Sequence, residues 1–140
     1  PAGWSARGAL RQLGDAEMPL DKPTADDRFT REPAKDPYPL VVVAAQAVPH
    51  GFSLERWGAF TVKVGAPHIG CQPKRQEATK FGGEPAVLFT YECGGGFVLW
   101  SALVRGDLGY DIVLGSLPGD EEATDRAVLD RLLATLAFTK

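Results

Sequence analysis

Two cysteines, Cys71 and Cys93, two histidines, His50 and His68, and a few acids and serines are the residues whose types could do chemistry. A metal centre wants four ligands in tight spacings, and a thiol nucleophile wants a histidine partner. Neither histidine stands in a metal-type spacing with either cysteine. The simplest chemistry for the pair is one disulfide, closing a loop of about twenty residues and contributing about 3 kcal/mol in the chain-entropy picture. A disulfide implies an oxidising compartment. Two buried free thiols in a cytosolic protein are the competing reading, because free cysteine is commonly buried.

Hydrolytic chemistry could be sought in Ser53 beside His50, or in His68 with Asp107 or Asp111. Acid–base work needs such groups within hydrogen-bond reach in a pocket, and nothing in their spacing brings them together. Gly94-Gly95-Gly96 resembles a phosphate cradle only by composition. Such a cradle follows a strand, opens a helix and usually carries a lysine, whereas here a strand follows. Arg105-Gly106-Asp107 spells an adhesion tripeptide, but Gly-Asp is ordinary turn chemistry. Asp15, Glu17, Asp26 and Asp27 are spread too thinly for a calcium loop. The sequence therefore assigns no catalytic residue, no metal ligand and no cofactor.

The elements that would position these residues centre on Ala86–Leu117. Val87, Phe89, Tyr91 and Cys93 alternate with Ala86, Leu88, Thr90 and Glu92, a period of two that predicts a strand. The three glycines suit a hairpin loop of about three residues. Phe97–Arg105 is apolar on both faces and predicts a central, doubly covered strand. After the break at Gly106-Asp107-Leu108, Gly109–Leu117 completes an antiparallel meander, with Tyr110, Ile112 and Leu114 on one face. Leu40–Val48 is a further interior strand. Ser53 caps a helix with apolar positions Leu54, Trp57, Phe60 and Val64. A strand over Phe60–Val64 competes with that helix, since Gly58 costs a helix about 1 kcal/mol. Gly65–Pro73 breaks the pattern, Lys74–Lys80 reads as a charged edge strand, and Phe81–Pro85 reads as a turn.

At the C-terminus, Asp120 caps a helix whose first turn is acidic. Its stripe is Leu129, Leu132, Leu133 and Leu136, with Val128 beside it. Glu122–Arg126 and Arg126–Asp130 are expected as i,i+4 pairs on the outer side. Replacing Leu132 with Asp is expected to unfold the domain. Trp57 and Trp100 read as core, each needing a partner for its indole N–H, and Trp4 falls in the least patterned region.

The 140 residues read as one domain, with a proline-rich, irregular part over 1–39 and a sheet-and-helix core over 40–140. Hydrophobic content of 44% and charged content of 24% are those of an ordinary globule. A net charge of −3 without a basic stripe argues against nucleic acid. No apolar run approaches the ~20 residues of a membrane span. The chain begins at Pro1, which reads as a processed or truncated fragment, so any membrane attachment is expected through a removed N-terminal anchor.

Residues 40–138 resemble the PsbP-like family, particularly its bacterial envelope lipoproteins of the LpqN/DcrB type. The likeness rests on a buried strand before a helix opened by Ser53-Leu54, and on Phe81-Gly82-Gly83-Glu84-Pro85-Ala86 entering a strand. It continues with the Gly109-Tyr110 strand start and a last amphipathic helix ending in Leu136-Ala137-Phe138. Pro1-Ala2-Gly3-Trp4 resembles the segment that follows the family's first strand. The resemblance implies an α+β fold, an antiparallel sheet with helices packed on it as an α/β sandwich. It also implies a non-enzymatic binding or accessory role in the cell envelope or secreted space, with a protein partner or a lipid or small ligand. A cytoplasmic adaptor or secretion-chaperone-like protein of the same fold is the alternative, and a small hydrolase a further one.

Overall fold

The computed structural model describes residues 4–7, 25–31, 40–116, 119 and 121–138. Among these described residues, seven strands and two helices follow one another: β1 Trp4–Arg7, β2 Ala25–Arg31, β3 Leu40–Ala47, α1 Leu54–Ile69, β4 Arg75–Phe81, β5 Glu84–Cys93, β6 Gly96–Arg105, β7 Leu108–Gly115 and α2 Glu122–Thr135. The strands form one antiparallel sheet in the order β1-β2-β3-β7-β6-β5-β4. The expected meander is β5–β6–β7, and the apolar strand at residues 40–47 lies inside the sheet, between β2 and β7. The polar strand β4 forms an edge, as its charges suggested. The stretch expected to be irregular, 1–39, contributes β1 and β2 as the other flank. Trp4, from the least patterned region, opens β1.

Alternation along the strands sends two hydrophobic sets to opposite faces. On one face Leu88, Leu99, Leu103, Ile112 and Leu114 pack with Leu129 and Leu133 of α2. On the other, Val87, Phe89, Tyr91 and Ala102 pack with Trp57 and Ala66 of α1. The sheet is thus the middle layer between two helices, which is why β6 carries no polar face. Leu129 and Leu133 are fully buried whereas Leu132 and Leu136 are partly buried, so the stripe's deep row is the i,i+4 pair.

The hairpins are tighter than the glycine triplet suggested. Gly94 and Gly95, with φ of 60° and 85°, form a two-residue turn, and Gly96 already belongs to β6. Positive φ at both central positions matches the twist of the flanking strands, which is the reason two glycines stand there. Similarly, Gly82-Gly83 is the whole turn before β5, so Glu84 and Pro85 are strand residues paired to Phe81 and Lys80.

Ser53 caps α1 as expected, its Oγ accepting the Arg56 amide at 3.2 Å. The helix then runs through Gly65 and Pro67 to Ile69, a turn beyond the expected break, and stops at Gly70 with φ 89°. The fully buried residues of α1 are Trp57, Gly58, Thr61, Gly65 and Ala66; of the expected apolar positions, Leu54 and Phe60 pack partly buried at the edge of the same core and Val64 is partly exposed. In α2, Glu121 occupies the N-cap position without a side-chain cap bond, one residue after Asp120, which lies outside the described residues. The expected Glu122–Arg126 pair is replaced by contacts to the sheet edge: Glu122 accepts from Arg75, and Arg126 from α2 bridges Glu77 of β4 and Asp130.

Candidate functional site

Burial of α1 on the sheet depends on three glycines. A Cβ on Gly58 would meet the Phe89 ring at 3.2 Å, and one on Gly109 of β7 would stand 2.5 Å from Cε2 of Trp57. Gly65 lies as closely over Trp100. Missing side chains on both elements let two indoles wedge between helix and strands, and the polar edges of those indoles meet a carboxyl.

That carboxyl is Asp111, in the middle of β7 on the α1 face. Its neighbours in register are Ala44 of β3 and Ala102 of β6, so small side chains leave it room. Although the residue as a whole is partly exposed, Oδ1 is shut from solvent and has no hydrogen-bond partner among the described residues. Burial pushes the Asp111 carboxyl up to about 7, and the nearby indole N–H groups of Trp100 and Trp57 only partly offset this. Trp57 donates its Nε1–H to the carbonyl of Tyr110 at 3.3 Å, so that dipole acts on Asp111 without being committed to it. Trp100 Nε1, Tyr91 Oη and Gln46 Nε2 are also buried without a partner among the described residues. Tyr91 is raised to about 12 by burial and, secondarily, by the Asp111 charge. Chemically, this is a set of hydrogen-bonding groups around one acid that gains and loses its proton near neutrality.

The other sequence candidates lie elsewhere. Ser53 Oγ is occupied as the α1 cap. His50 does meet an acid, but it is Asp107, at 3.0 Å on an exposed turn, and not the pairing of His68 with Asp107 or Asp111 that the sequence offered. His68 is exposed in the last turn of α1, away from the buried face that Asp111 shares. In the Arg105-Gly106-Asp107 turn, the arginine lies 4.8 Å over the Phe138 ring and 3.7 Å from Glu84, while Asp107 is held by His50. Both charged ends of the tripeptide are therefore engaged within the chain.

Cys71 and Cys93 lie at disulfide distance, with Cα atoms 6.2 Å apart. They join the segment after α1 to the end of β5, beside the Gly94-Gly95 turn. A shallow cavity of about 390 Å³ opens there, lined by Lys74, Glu92, Cys93, Phe97 and Glu122 among others, and it shares no residue with the Asp111 cluster. Lys74 and Glu92 pair across its rim, and Lys74 holds the Glu92 carboxyl below the usual range.

Sequence reading passed over Gln46 and gave Tyr91 and Trp100 only packing roles. The available signal was Asp111 itself, a charge inside an apolar strand and out of phase with Tyr110, Ile112 and Leu114.

No family model matches the chain, and no curated protein matches it. Among solved structures, the solution structure of cyanobacterial PsbP (CyanoP) from Synechocystis matches 94% of this chain and 79% of its own, with a TM-score of 0.63 and 16% identity. At that identity the likeness speaks for architecture alone. The chain has a PsbP-like α+β fold, an antiparallel sheet with helices packed on it.

Proposed function

We propose that this chain is a non-enzymatic accessory domain of the bacterial cell envelope or secreted space, of the LpqN/DcrB-like lipoprotein type, that acts by binding a protein partner or a lipid or small ligand. The observation that carries the location is the Cys71–Cys93 pair at disulfide distance, since a bond there persists in an oxidising compartment. A PsbP-like fold supports the accessory role. So do the tasks already held by the polar groups that chemistry would recruit: Ser53 caps α1, and His50 and Asp107 brace a surface turn. No helix among the described residues is long and apolar enough to cross a membrane. Membrane attachment through an N-terminal anchor comes with the lipoprotein reading and is part of the proposal.

Thiol titration of the protein purified from its native host under alkylating conditions tests the location. The expected result is no reactive thiol in denaturant and two after reduction. Two thiols without reductant would overturn the location and favour the cytoplasmic adaptor. Cross-linking in intact cells tests the role, with specific adducts expected in the envelope fraction; a chain recovered only as uncross-linked cytoplasmic monomer would overturn it.

A further inference from the structure

We propose that Asp111 is a proton-sensitive latch for α1: neutral, it lets Trp57 and Trp100 stay seated between helix and sheet, and ionised, it loosens the N-terminal half of the helix from β6 and β7. The inference starts from what surrounds the carboxyl. In register Ala44 of β3 and Ala102 of β6 stand beside it, with Val42, Gln46, Trp100 and Val104 next along the same face; from β5, Tyr91 is close enough to feel its charge. From α1 it is Trp57 that reaches β7, over Gly109 and through Tyr110, while Gly58 lies over Phe89 and Val87 and Gly65 over Trp100; the helix's charged residues Glu55, Arg56, Lys63 and His68 are exposed. On β2 the register places Asp26 opposite Ala44 and Arg28 opposite Val42, two strands from β7. No ion pair reaches Asp111 among the described residues, and Oδ1 has no hydrogen-bond donor.

A carboxylate with one oxygen shut in and no cation beside it is costly, and proteins relieve such a charge by keeping the proton or by opening to water. Opening is easiest at one end of α1. Its C-terminal end is tethered through Cys71 to Cys93. Its N-terminal half rests on Trp57, whose ring lies on the bare backbone of Gly109 and whose N–H bond to Tyr110 is long. The titration of Asp111 near 7 puts the change in an accessible range. The sign follows from linkage. The folded chain keeps this proton up to about pH 7, whereas the unfolded chain releases it near the ordinary value of 3.8. The stabilisation is thus complete below that lower value and is lost as pH rises through 7.

Hydrogen exchange of the intact protein at about pH 6 and about pH 8.5, corrected for intrinsic rates, tests the latch. Protection of α1 amides around Trp57 should fall about tenfold relative to β5 and β6, the equivalent of one pH unit of linkage. In Asp111→Asn the ratio should not change with pH. Equal loss in helix and sheet, or a variant that follows the native profile, would overturn the proposal. Should Asp111→Asn fail to fold, the carboxyl carbon of Asp111 in the native protein can be titrated by NMR. A midpoint above about pH 6, with the Trp57 and Trp100 indole N–H signals moving in step, supports the latch. A lower midpoint, or indole signals that do not move, overturns it.

Discussion

A Cβ on Gly65 would stand 2.2 Å from Cζ3 and 2.8 Å from Cη2 of Trp100, so helix and indole meet only because residue 65 has no side chain. This contact sets the distance of α1 from the sheet and therefore the enclosure of Asp111. Gly65→Ala gains about 1 kcal/mol of helix propensity but forces a rigid, wedged ring to move, at a cost of about 1–3 kcal/mol or more. Net destabilisation is expected in urea unfolding. Gly58→Ala, where the nearest ring atom is 3.2 Å from the added carbon, should cost less and come out near neutral. A larger loss at position 58 than at 65 would contradict the packing described.

Tyr91 is fully buried with an unpartnered hydroxyl. Removing a buried polar group that makes no hydrogen bond is nearly neutral or stabilising, whereas removing a bonded one costs about 1–3 kcal/mol. Tyr91→Phe should therefore leave stability within about 1 kcal/mol of the native protein, or raise it. Denaturant unfolding at about pH 6, where Asp111 is mostly neutral, is the measurement.

The parts of this fold legible in the sequence were those governed by periodicity and local chemistry. The β5–β6–β7 meander, the Ser53 cap, the charged edge strand and the Leu129/Leu133 row all follow from side-chain spacing and turn residues. What escaped were features set by tertiary contact. Gly65 and Pro67 read locally as helix breakers, yet one is needed for the approach to Trp100 and the other lies exposed near the helix end. Glu122 and Arg126 have ideal spacing for each other, but β4 presents Arg75 and Glu77 within reach, and nothing in a single helix's pattern announces a neighbouring strand. β1 and β2 escaped because prolines and charges masked two short flanking strands. Asp111 stood out as a charge in an apolar strand, but its cluster did not: the members come from five elements, and only their stacking joins them.

Arg126 joins α2 to the edge strand. Its guanidinium reaches Glu77 and Asp130 and is largely, though not wholly, screened from solvent. Exposed ion pairs contribute little, about 0–1 kcal/mol, and less in salt. Arg126→Ala should thus lower the melting temperature slightly at low ionic strength, with the difference shrinking as salt is added. A salt-independent loss would instead mark the arginine's aliphatic stem as the part that matters.

The two cysteines give a prediction separable from the location. Their sequence separation of 22 closes a loop whose cross-link should contribute about 3 kcal/mol by restricting the unfolded chain. Cys71→Ser with Cys93→Ser should lower stability by that order without changing the fold, as both residues are only partly buried.

Leu129 and Leu132 separate core from flank within one helical stripe. Leu129 is fully buried against the sheet, whereas Leu132 is only partly covered. Truncating a buried leucine removes its transfer free energy and leaves a cavity, costing about 2–5 kcal/mol; a partly exposed one loses less and leaves no closed void. Leu129→Ala should fall in that range, and Leu132→Ala at less than half of it. Leu129→Asp should abolish folding by placing a charge among Leu88, Leu99 and Leu114. Leu132→Asp, expected from the stripe alone to unfold the domain, should instead leave a folded, weakened protein, because Leu132 is only partly buried and a carboxylate there can turn toward water at the helix flank. Chemical denaturation of the two alanine variants decides the matter: equal losses would mean that α2 is rotated from the position described, with both leucines sharing the buried row.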